Sequence, residues 1–237
     1  MLYGDLGRIP IYYEAIIKAL KYWVRIRKLP ETHLAKITYM SLLKLHELGY
    51  KTWVTDIWNL LREFKLVDLW HDQELYIDIK AHIYMIYQTN WVATLLNHDL
   101  YPIMRTYRLI KTDFILEPYM RIKDYQARKA ITKLRMSSHD LFIEKGRHTK
   151  PLKTPVEQRI CRYCNRNEVE DEVHFLIRCD YYEGARNKLL RDIEAPTESG
   201  WTDVDLFLWL LNNRCPDILT KVGKFIWSGF KLRTNVV

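Results

Sequence analysis

Three cysteines and one histidine between residues 161 and 179 have the types and the spacing of a metal site. Cys161 and Cys164 form a C-x2-C pair, which brings two thiolates to one ion without strain. His174 and Cys179 follow, so that the whole pattern reads C-x2-C-x9-H-x4-C. Zinc takes about four thiolate or imidazole ligands in a tetrahedron. The pattern therefore predicts one structural zinc ion per chain, with no coordination position left open to activate water.

Two other interpretations of these side chains remain open from the sequence. One is a free thiol pair beside an ordinary histidine, and the other is an all-cysteine site in which Cys215 replaces His174. We expect Cys215 to be a free buried thiol, because unpaired cysteine behaves as a small apolar residue. A secreted disulfide framework is not expected, because the first residues lack the apolar segment of a secretory signal.

The predicted ligand set constrains the backbone around it. The acidic run at residues 168–172 suits the first turn of a short helix, where negative charge is favoured, and His174 would lie within that helix. Five residues of continuous helix rotate the chain by about 500°, or about 140° net. Cys179 would then face away from His174. We therefore expect the helix to stop near Ile177 and Asp180 to cap a new helix.

Apolar residues recur at the helical period along much of the chain, whereas strand-like alternation is scarce. The sequence therefore predicts a mainly α fold, with a helical N-terminal domain, a small CCHC zinc lobe and C-terminal helices. The clearest stripes are Tyr13, Ile16, Ile17, Leu20 and Val24; Trp53, Ile57, Leu60, Leu61 and Phe64; Tyr84, Tyr87, Trp91, Leu95 and Leu96; and Leu219, Val222, Ile226 and Phe230.

Residues 145–159, KGRHTKPLKTPVEQR, interrupt this pattern. They contain one glycine, two prolines and many charges, and no apolar period continues through them. Such a composition is typical of a linker. We therefore predict a domain boundary near residue 155, with a helical domain at 1–155 and the zinc lobe with the C-terminal helices at 156–237.

The positive charge of the chain is concentrated in one quarter of its length. The formal net charge is +8, and residues 101–160 contain 14 Lys and Arg against 6 Asp and Glu, which is the whole excess. A localised positive field attracts phosphate. The basic segment 101–155 thus predicts RNA or DNA as the partner, although a solvated helix face would have the same composition.

The segment from Asp124 to Arg135 is the element that would present this charge. Asp124 is a plausible N-cap, and an apolar stripe of two alanines, Ile131 and Leu134 would face inward. The basic residues of the segment would face outward. We expect phosphate contacts from Arg121, Arg128, Lys129, Lys133, Arg135, Lys145 and Arg147.

No pattern of an enzyme accompanies these features. The chain has no phosphate-binding glycine loop, no G-x-S-x-G nucleophile turn and no H-E-x-x-H zinc helix. No apolar run approaches the roughly 18 residues of a membrane-spanning helix. We therefore expect a non-catalytic protein without a small-molecule substrate or a membrane partner, located inside the cell, in the nucleus or cytoplasm.

The segment CRYCNRNEVEDEVHFLIRCDYYEGARNKLL resembles the zinc-binding segment near the C-terminus of non-LTR retrotransposon reverse-transcriptase proteins. The shared features are the C-x2-C pair, the E-D-x-x-H-F-L run, the C-x-x-Y step and Arg186. The strings RMSSHDL and IEKGR upstream, and YGDLGRIPIYYE and LKYWVRI near the N-terminus, resemble the stretches that precede this segment in the family. The resemblance is most specific at residues 125–190.

The resemblance implies a helical accessory region that grips element RNA or target DNA during reverse transcription. It does not imply polymerase activity, because the aspartate-rich A-D-D motif of the polymerase palm is absent. Two further hypotheses remain open from the sequence. One is a helical protein-interaction or scaffold protein with a structural zinc, and the other is a retroelement relic without a selected function.

Overall fold

A computed structural model describes residues 2–72, 76–99, 101, 104–196 and 200–234. The described residues are mainly helical and contain no β-strand beyond one isolated bridge, so the predicted fold class is confirmed. The α-helices are α1 (Leu2–Leu6), α2 (Ile11–Arg27), α3 (Leu34–Glu47), α4 (Trp53–Glu63), α5 (Asp68–His71), α6 (Ile79–Leu96), α7 (Arg105–Ile110), α8 (Tyr125–Arg135), α9 (Phe142–Lys145), α10 (Glu183–Asp192), α11 (Asp203–Asn212) and α12 (Pro216–Thr234).

The chain forms two compact units, Ile9–Ala93 and Met1–Arg8 with Thr94–Val237, and the division falls inside α6. The boundary predicted near residue 155 differs from this division, because both sides of it belong to the second unit. The segment expected to be a linker is held there by hydrogen bonds, one between backbone groups and one from a side chain to the backbone. The Thr154 amide donates to the Gly146 carbonyl at 2.9 Å, and Arg159 Nη1 donates to the Ile143 carbonyl at 2.7 Å.

The unit Ile9–Ala93 is built from amphipathic helices whose predicted apolar stripes are mostly buried or half-buried, whereas Leu96 at the end of α6 was predicted to face inward and is 66% exposed. Leu20 of α2 and Leu61 of α4 are fully buried, and Ile57 is almost so. Gly49 follows the end of α3 with a φ of 90°, a conformation that glycine adopts without strain. This agrees with its predicted position just after the helix end.

In the second unit, α8 packs directly on α12. A Cβ atom at Gly223 of α12 would lie 2.6 Å from the backbone oxygen of Ala127 in α8, so this crossing requires a glycine. The predicted inward residues of α8 are buried, namely Ala127, Ala130, Ile131 and Leu134. The inward residues of α12 are buried at Leu219, Val222 and Ile226, whereas Phe230 is only half-buried.

The cap predicted at Asp180 is absent, because Asp180 begins a 3-10 turn and α10 starts only at Glu183, with Tyr182 at its N-cap.

The two other predicted caps are present in this unit. Asp124 accepts a hydrogen bond from the Ala127 amide at 3.0 Å and begins α8. Thr202 and Asp205 form a reciprocal capping box at the start of α11. Pro216 occupies the first position of α12, where its missing N–H costs nothing.

Candidate metal centre and basic surface

The C-x2-C pair lies on a short hairpin that leads away from residue 160. Ile160 and Val169 form an antiparallel bridge. The Cys161 amide donates to the Glu168 carbonyl at 2.9 Å, and the Glu170 amide donates to the Arg159 carbonyl at 2.8 Å. The hairpin thus fixes the backbone of the first ligand pair.

The second ligand pair lies at the two ends of a single irregular helical turn. Asp171 caps this turn by accepting a hydrogen bond from the His174 amide at 2.7 Å. The turn His174–Arg178 is a π-helix, in which the Cys179 amide donates to the His174 carbonyl at 2.8 Å. Cys179 then leaves the helix in an extended conformation. The predicted helix break between His174 and Cys179 is confirmed, one residue later than Ile177.

The four side chains converge, and their ligand atoms all lie within 4.8 Å of one another. The Sγ atoms of Cys161 and Cys179 are 3.8 Å apart, and Cys164 Sγ is 3.4 Å from His174 Nε2. A tetrahedral ion about 2.3 Å from sulfur and about 2.0 Å from nitrogen gives separations of about 3.8 and 3.5 Å. These two separations match a tetrahedral ion, and the four side chains together could hold one metal ion.

The environment of the cluster excludes water on most sides. Cys161, His174 and Cys179 are buried, and Cys164 is half-buried. The separation of 3.8 Å between the Sγ atoms of Cys161 and Cys179 is much longer than the roughly 2.0 Å of a disulfide. The cluster can hold a metal ion with four protein ligands, which is a structural arrangement.

Outer contacts orient two of the ligands. Glu168 Oε2 lies 3.1 Å from His174 Nδ1, so that Nε2 is the nitrogen that faces the thiols. Carboxylates commonly orient metal-bound histidines in this way. Arg186 Nη1 donates to the Cys179 carbonyl at 2.9 Å and fixes the last ligand.

Without a metal ion the cluster retains protons. Burial lowers the pKa of His174, but hydrogen bonds with Cys161 and Glu168 outweigh it and raise the pKa to about 9. The hydrogen bond with Cys179 raises the pKa of Cys161 to about 12. A cation that binds here must displace these protons.

Cys215 does not join the cluster of the four described ligands. The expectation that it is a buried thiol was wrong, because Cys215 is exposed just before α12. Its position next to a proline at a helix start leaves the side chain at the surface rather than on an inward stripe.

The predicted phosphate contacts differ in their surroundings. Arg121, Lys129, Lys133 and Lys145 are exposed. Arg128 is half-buried, and its Nη1 donates to the Ile122 carbonyl. Arg147 is also half-buried, with Nε 2.9 Å from Glu144 Oε2. Four of the seven residues are thus exposed to solvent.

Arg135 is a correction to the predicted basic surface, because its side chain is fully buried. Its Nη2 lies 2.8 Å from Glu117 Oε2 and its Nε lies 3.8 Å from Asp5 Oδ2. At 100° per residue Arg135 lies about 80° from Ala127, on the flank of the apolar stripe. Other segments of the chain cover that flank, so Arg135 stabilises the interior.

A groove runs beside the exposed lysines of α8, between α8 and α12. Its cavity volume is about 220 Å³. Trp227 and Phe230 of α12 line it together with Lys129 and Lys133, and the Lys231 ammonium lies 4.0 Å above the centre of the Trp227 ring. Sequence reasoning missed this contribution of α12. The available signal was an aromatic and a lysine at i and i+4 on the outward side of that helix.

A second depression lies on the other side of the same lysines. Met120, Tyr125 and Thr132 line it with Arg128, Lys129 and Lys133, and its volume is about 250 Å³. Tyr125 is 58% exposed. Lys129 and Lys133 therefore form a ridge between two aromatic-lined depressions.

Comparisons with protein-family models, with curated proteins and with solved structures found no match to this chain. None of the described helices is both long enough and apolar enough to cross a membrane.

Proposed function

We propose that this chain is a non-catalytic, zinc-containing module that binds RNA or DNA through the exposed basic face of α8. The observation that carries the proposal is the exposed lysine ridge, Lys129 and Lys133, which lies beside Arg128 on the surface of the second unit. Phosphate contacts of this kind supply most of the affinity in sequence-independent binding. The resemblance to the accessory region of retrotransposon reverse transcriptases supports the same assignment.

Zinc is the metal that suits the donor set best. Three thiolates and one imidazole in a tetrahedron are soft or borderline ligands, which favour zinc over magnesium or calcium. With four protein ligands the ion supplies folding energy rather than a catalytic water. The zinc would hold the hairpin of Cys161 and Cys164 against the helical turn of His174, and thereby shape the unit that carries α8.

A second candidate function is a helical protein-interaction module that contains the same zinc. It is favoured by α3, which exposes a stripe of large apolar side chains. Leu34 is 76% exposed and Leu48 is 73% exposed, with Ile37 and Leu45 between them. Apolar stripes of this kind mark contact surfaces for other proteins. This candidate predicts no affinity for nucleic acid.

A salt-titrated binding assay on the full chain separates the two candidates. With four exposed basic residues, we expect the logarithm of the association constant to fall with the logarithm of salt concentration with a slope of about −3 to −4. Reversing the ridge, with Lys129→Glu and Lys133→Glu together, should abolish binding and leave the fold intact, because both side chains are exposed. The matched control is Lys188→Glu with Arg191→Glu, which reverses two exposed charges on α10.

If the chain binds nucleic acid through the ridge, these two double variants should differ greatly in their affinity for nucleic acid. Loss of binding in the ridge variant alone supports it. Equal binding by wild type and the ridge variant, or no binding at low salt, contradicts it and favours the protein-interaction candidate.

A further inference from the structure

We propose that the surface of α8 and α12 takes single-stranded nucleic acid, with unpaired bases stacked in the two depressions on either side of the lysine ridge. The inference rests on the proposed function and names its substrate class. Trp227 would hold one base and Tyr125 the next, while Lys129 and Lys133 contact the phosphate between them. Neither aromatic position is required by phosphate binding alone.

The ridge supplies the phosphate contact. Lys129 and Lys133 are four residues apart on one helix and therefore project side by side. Each of them lines both depressions, and both are exposed. A backbone phosphate that binds Lys129 and Lys133 lies over the ridge. The nucleotides on its two sides are then placed above opposite depressions.

The groove between α8 and α12 supplies the first base site. Trp227 is half-buried, with its ring held by the packing of α12, and Phe230 lies beside it in the groove. The Lys231 ammonium 4.0 Å above the ring shows that a flat face of Trp227 can be covered from the solvent side. A base stacked on tryptophan is held more strongly than an exposed cation over the same ring.

Lys231 retains a role when the base enters. It lies one helical turn after Trp227 at the edge of the groove and is exposed. An ammonium displaced from the ring stays within reach of the phosphate of the entering nucleotide. Asp140 also lines the groove, and Lys145 Nζ lies 3.9 Å from its carboxylate, which offsets the repulsion of phosphate there.

The depression around Tyr125 supplies the second base site. The Tyr125 ring is 58% exposed, with Lys129 Nζ 5.6 Å and Arg128 Cζ 5.9 Å from its centre. An exposed ring bordered by cations is the combination that sequence-tolerant single-strand binders use. The ring is held by α8 itself, because Tyr125 is the first residue of that helix.

The aromatic depressions favour a single strand over a duplex. In a duplex the flat faces of the bases are covered by their neighbours, so the side chains of Trp227 and Tyr125 cannot reach them. Polyglutamate could neutralise the ridge but has no aromatic ring for the depressions. The aromatic contribution to affinity therefore distinguishes an unpaired base from both alternatives.

The test uses the full chain and two fluorescent probes, a 12-nucleotide oligouridine and a 12-base-pair duplex, at equal low salt. Trp227→Leu and Tyr125→Leu should each weaken single-strand binding by about 5- to 150-fold, the range expected for one lost base stack. Trp227→Phe and Tyr125→Phe, which retain a ring, should preserve most of the affinity. Duplex binding should change less than about twofold in all four variants.

Circular dichroism and thermal unfolding monitor the fold of every variant. Tyr125→Leu is the decisive variant if Trp227→Leu loses stability, because Tyr125 is exposed and Trp227 packs partly against the core. Unchanged single-strand affinity in Tyr125→Leu overturns the inference, as does equal loss for the single strand and the duplex. Competition by polyglutamate at equal charge concentration, as effective as that by unlabelled oligouridine, also overturns it. Absence of binding to either probe overturns the proposed function itself.

Discussion

Arg135 is a basic residue whose charge is buried, so its removal should affect stability and not nucleic-acid binding. The perturbation is Arg135→Met, which keeps a flexible unbranched side chain and removes the guanidinium. In the structure this group lies between the carboxylates of Glu117 and Asp5, with Nη1 donating to the Leu211 carbonyl at 3.2 Å. It also lies over Tyr119, with Cζ 5.0 Å from the ring centre.

The size of the effect follows from what the substitution leaves behind. Asp5 and Arg135 are fully buried, and Glu117 is nearly so. Removing one member of a buried charge cluster leaves the others without compensation and costs about 3–5 kcal/mol. Lys111 pairs with Glu117 and Tyr119 donates to Asp5 at 2.6 Å, so the loss is expected at the lower end of that range. Since total stability is about 5–15 kcal/mol for most domains, this is a large fraction.

The assay is urea unfolding followed by circular dichroism, with Lys133→Met as the matched control. Lys133 lies in the same helix and carries the same charge, but it is exposed. Its removal should change the free energy of unfolding by less than about 0.5 kcal/mol. Affinity for nucleic acid should show the opposite order. Lys133→Met should bind more weakly than wild type, whereas folded Arg135→Met should bind about as well as wild type. Equal free energies of unfolding for Arg135→Met and wild type would contradict a structural role for this guanidinium.

Three further predictions concern the metal centre and the helix crossing. Cys161→Ser should lower bound zinc well below one per chain and destabilise the fold, whereas Cys215→Ser should change neither; equal zinc content in both variants by elemental analysis would contradict this. Zinc binding at pH 7 should release at least two protons per ion, because the pKa values of His174 and Cys161 in the metal-free cluster are raised to about 9 and about 12. Apparent zinc affinity should therefore rise between pH 6 and pH 9, and a pH-independent affinity by competition with a chelator of known pH dependence would be inconsistent with it. Gly223→Ala should cost about 1–3 kcal/mol in urea unfolding, because its Cβ would meet the backbone of Ala127; an unchanged midpoint would show that the helices can move apart freely.

The four residues of the candidate metal centre could be predicted from sequence because they are close along the chain. The spacing of Cys161, Cys164, His174 and Cys179 defines the donor set, and the 140° net rotation of a continuous helix requires the break before Cys179. Both features depend on local geometry. The structure adds a π-helical turn as the means of that break, which spacing alone does not specify.

The environment of Arg135 could not be predicted in the same way. A helical projection places residues relative to one another but does not say which flank another element covers. The carboxylates that meet Arg135 belong to Asp5 and Glu117, and Asp5 is 130 positions away in the chain. The pairing of Arg135 with these carboxylates results from tertiary packing. The same is true of the groove that Trp227 lines together with the lysines of α8.

Tertiary contacts also explain why residues 145–159 were predicted to be a linker. Residues 145–159 have the composition of a linker, yet their backbone groups find partners within one compact unit. Thr149 Oγ1 accepts a hydrogen bond from the Thr154 amide at 2.9 Å, and Arg159 Nε donates to the Thr154 carbonyl at 2.9 Å. Side-chain hydrogen bonds here replace the apolar periodicity by which ordered segments are recognised.

We propose that three thiolates and one imidazole of this chain hold a single zinc ion. X-ray absorption at the zinc edge of the purified full chain tests it most directly. We expect the zinc to be surrounded by three sulfur atoms at about 2.3 Å and one nitrogen at about 2.0 Å. A first shell of oxygen atoms, or a purified protein that is fully folded and contains no zinc, would contradict it.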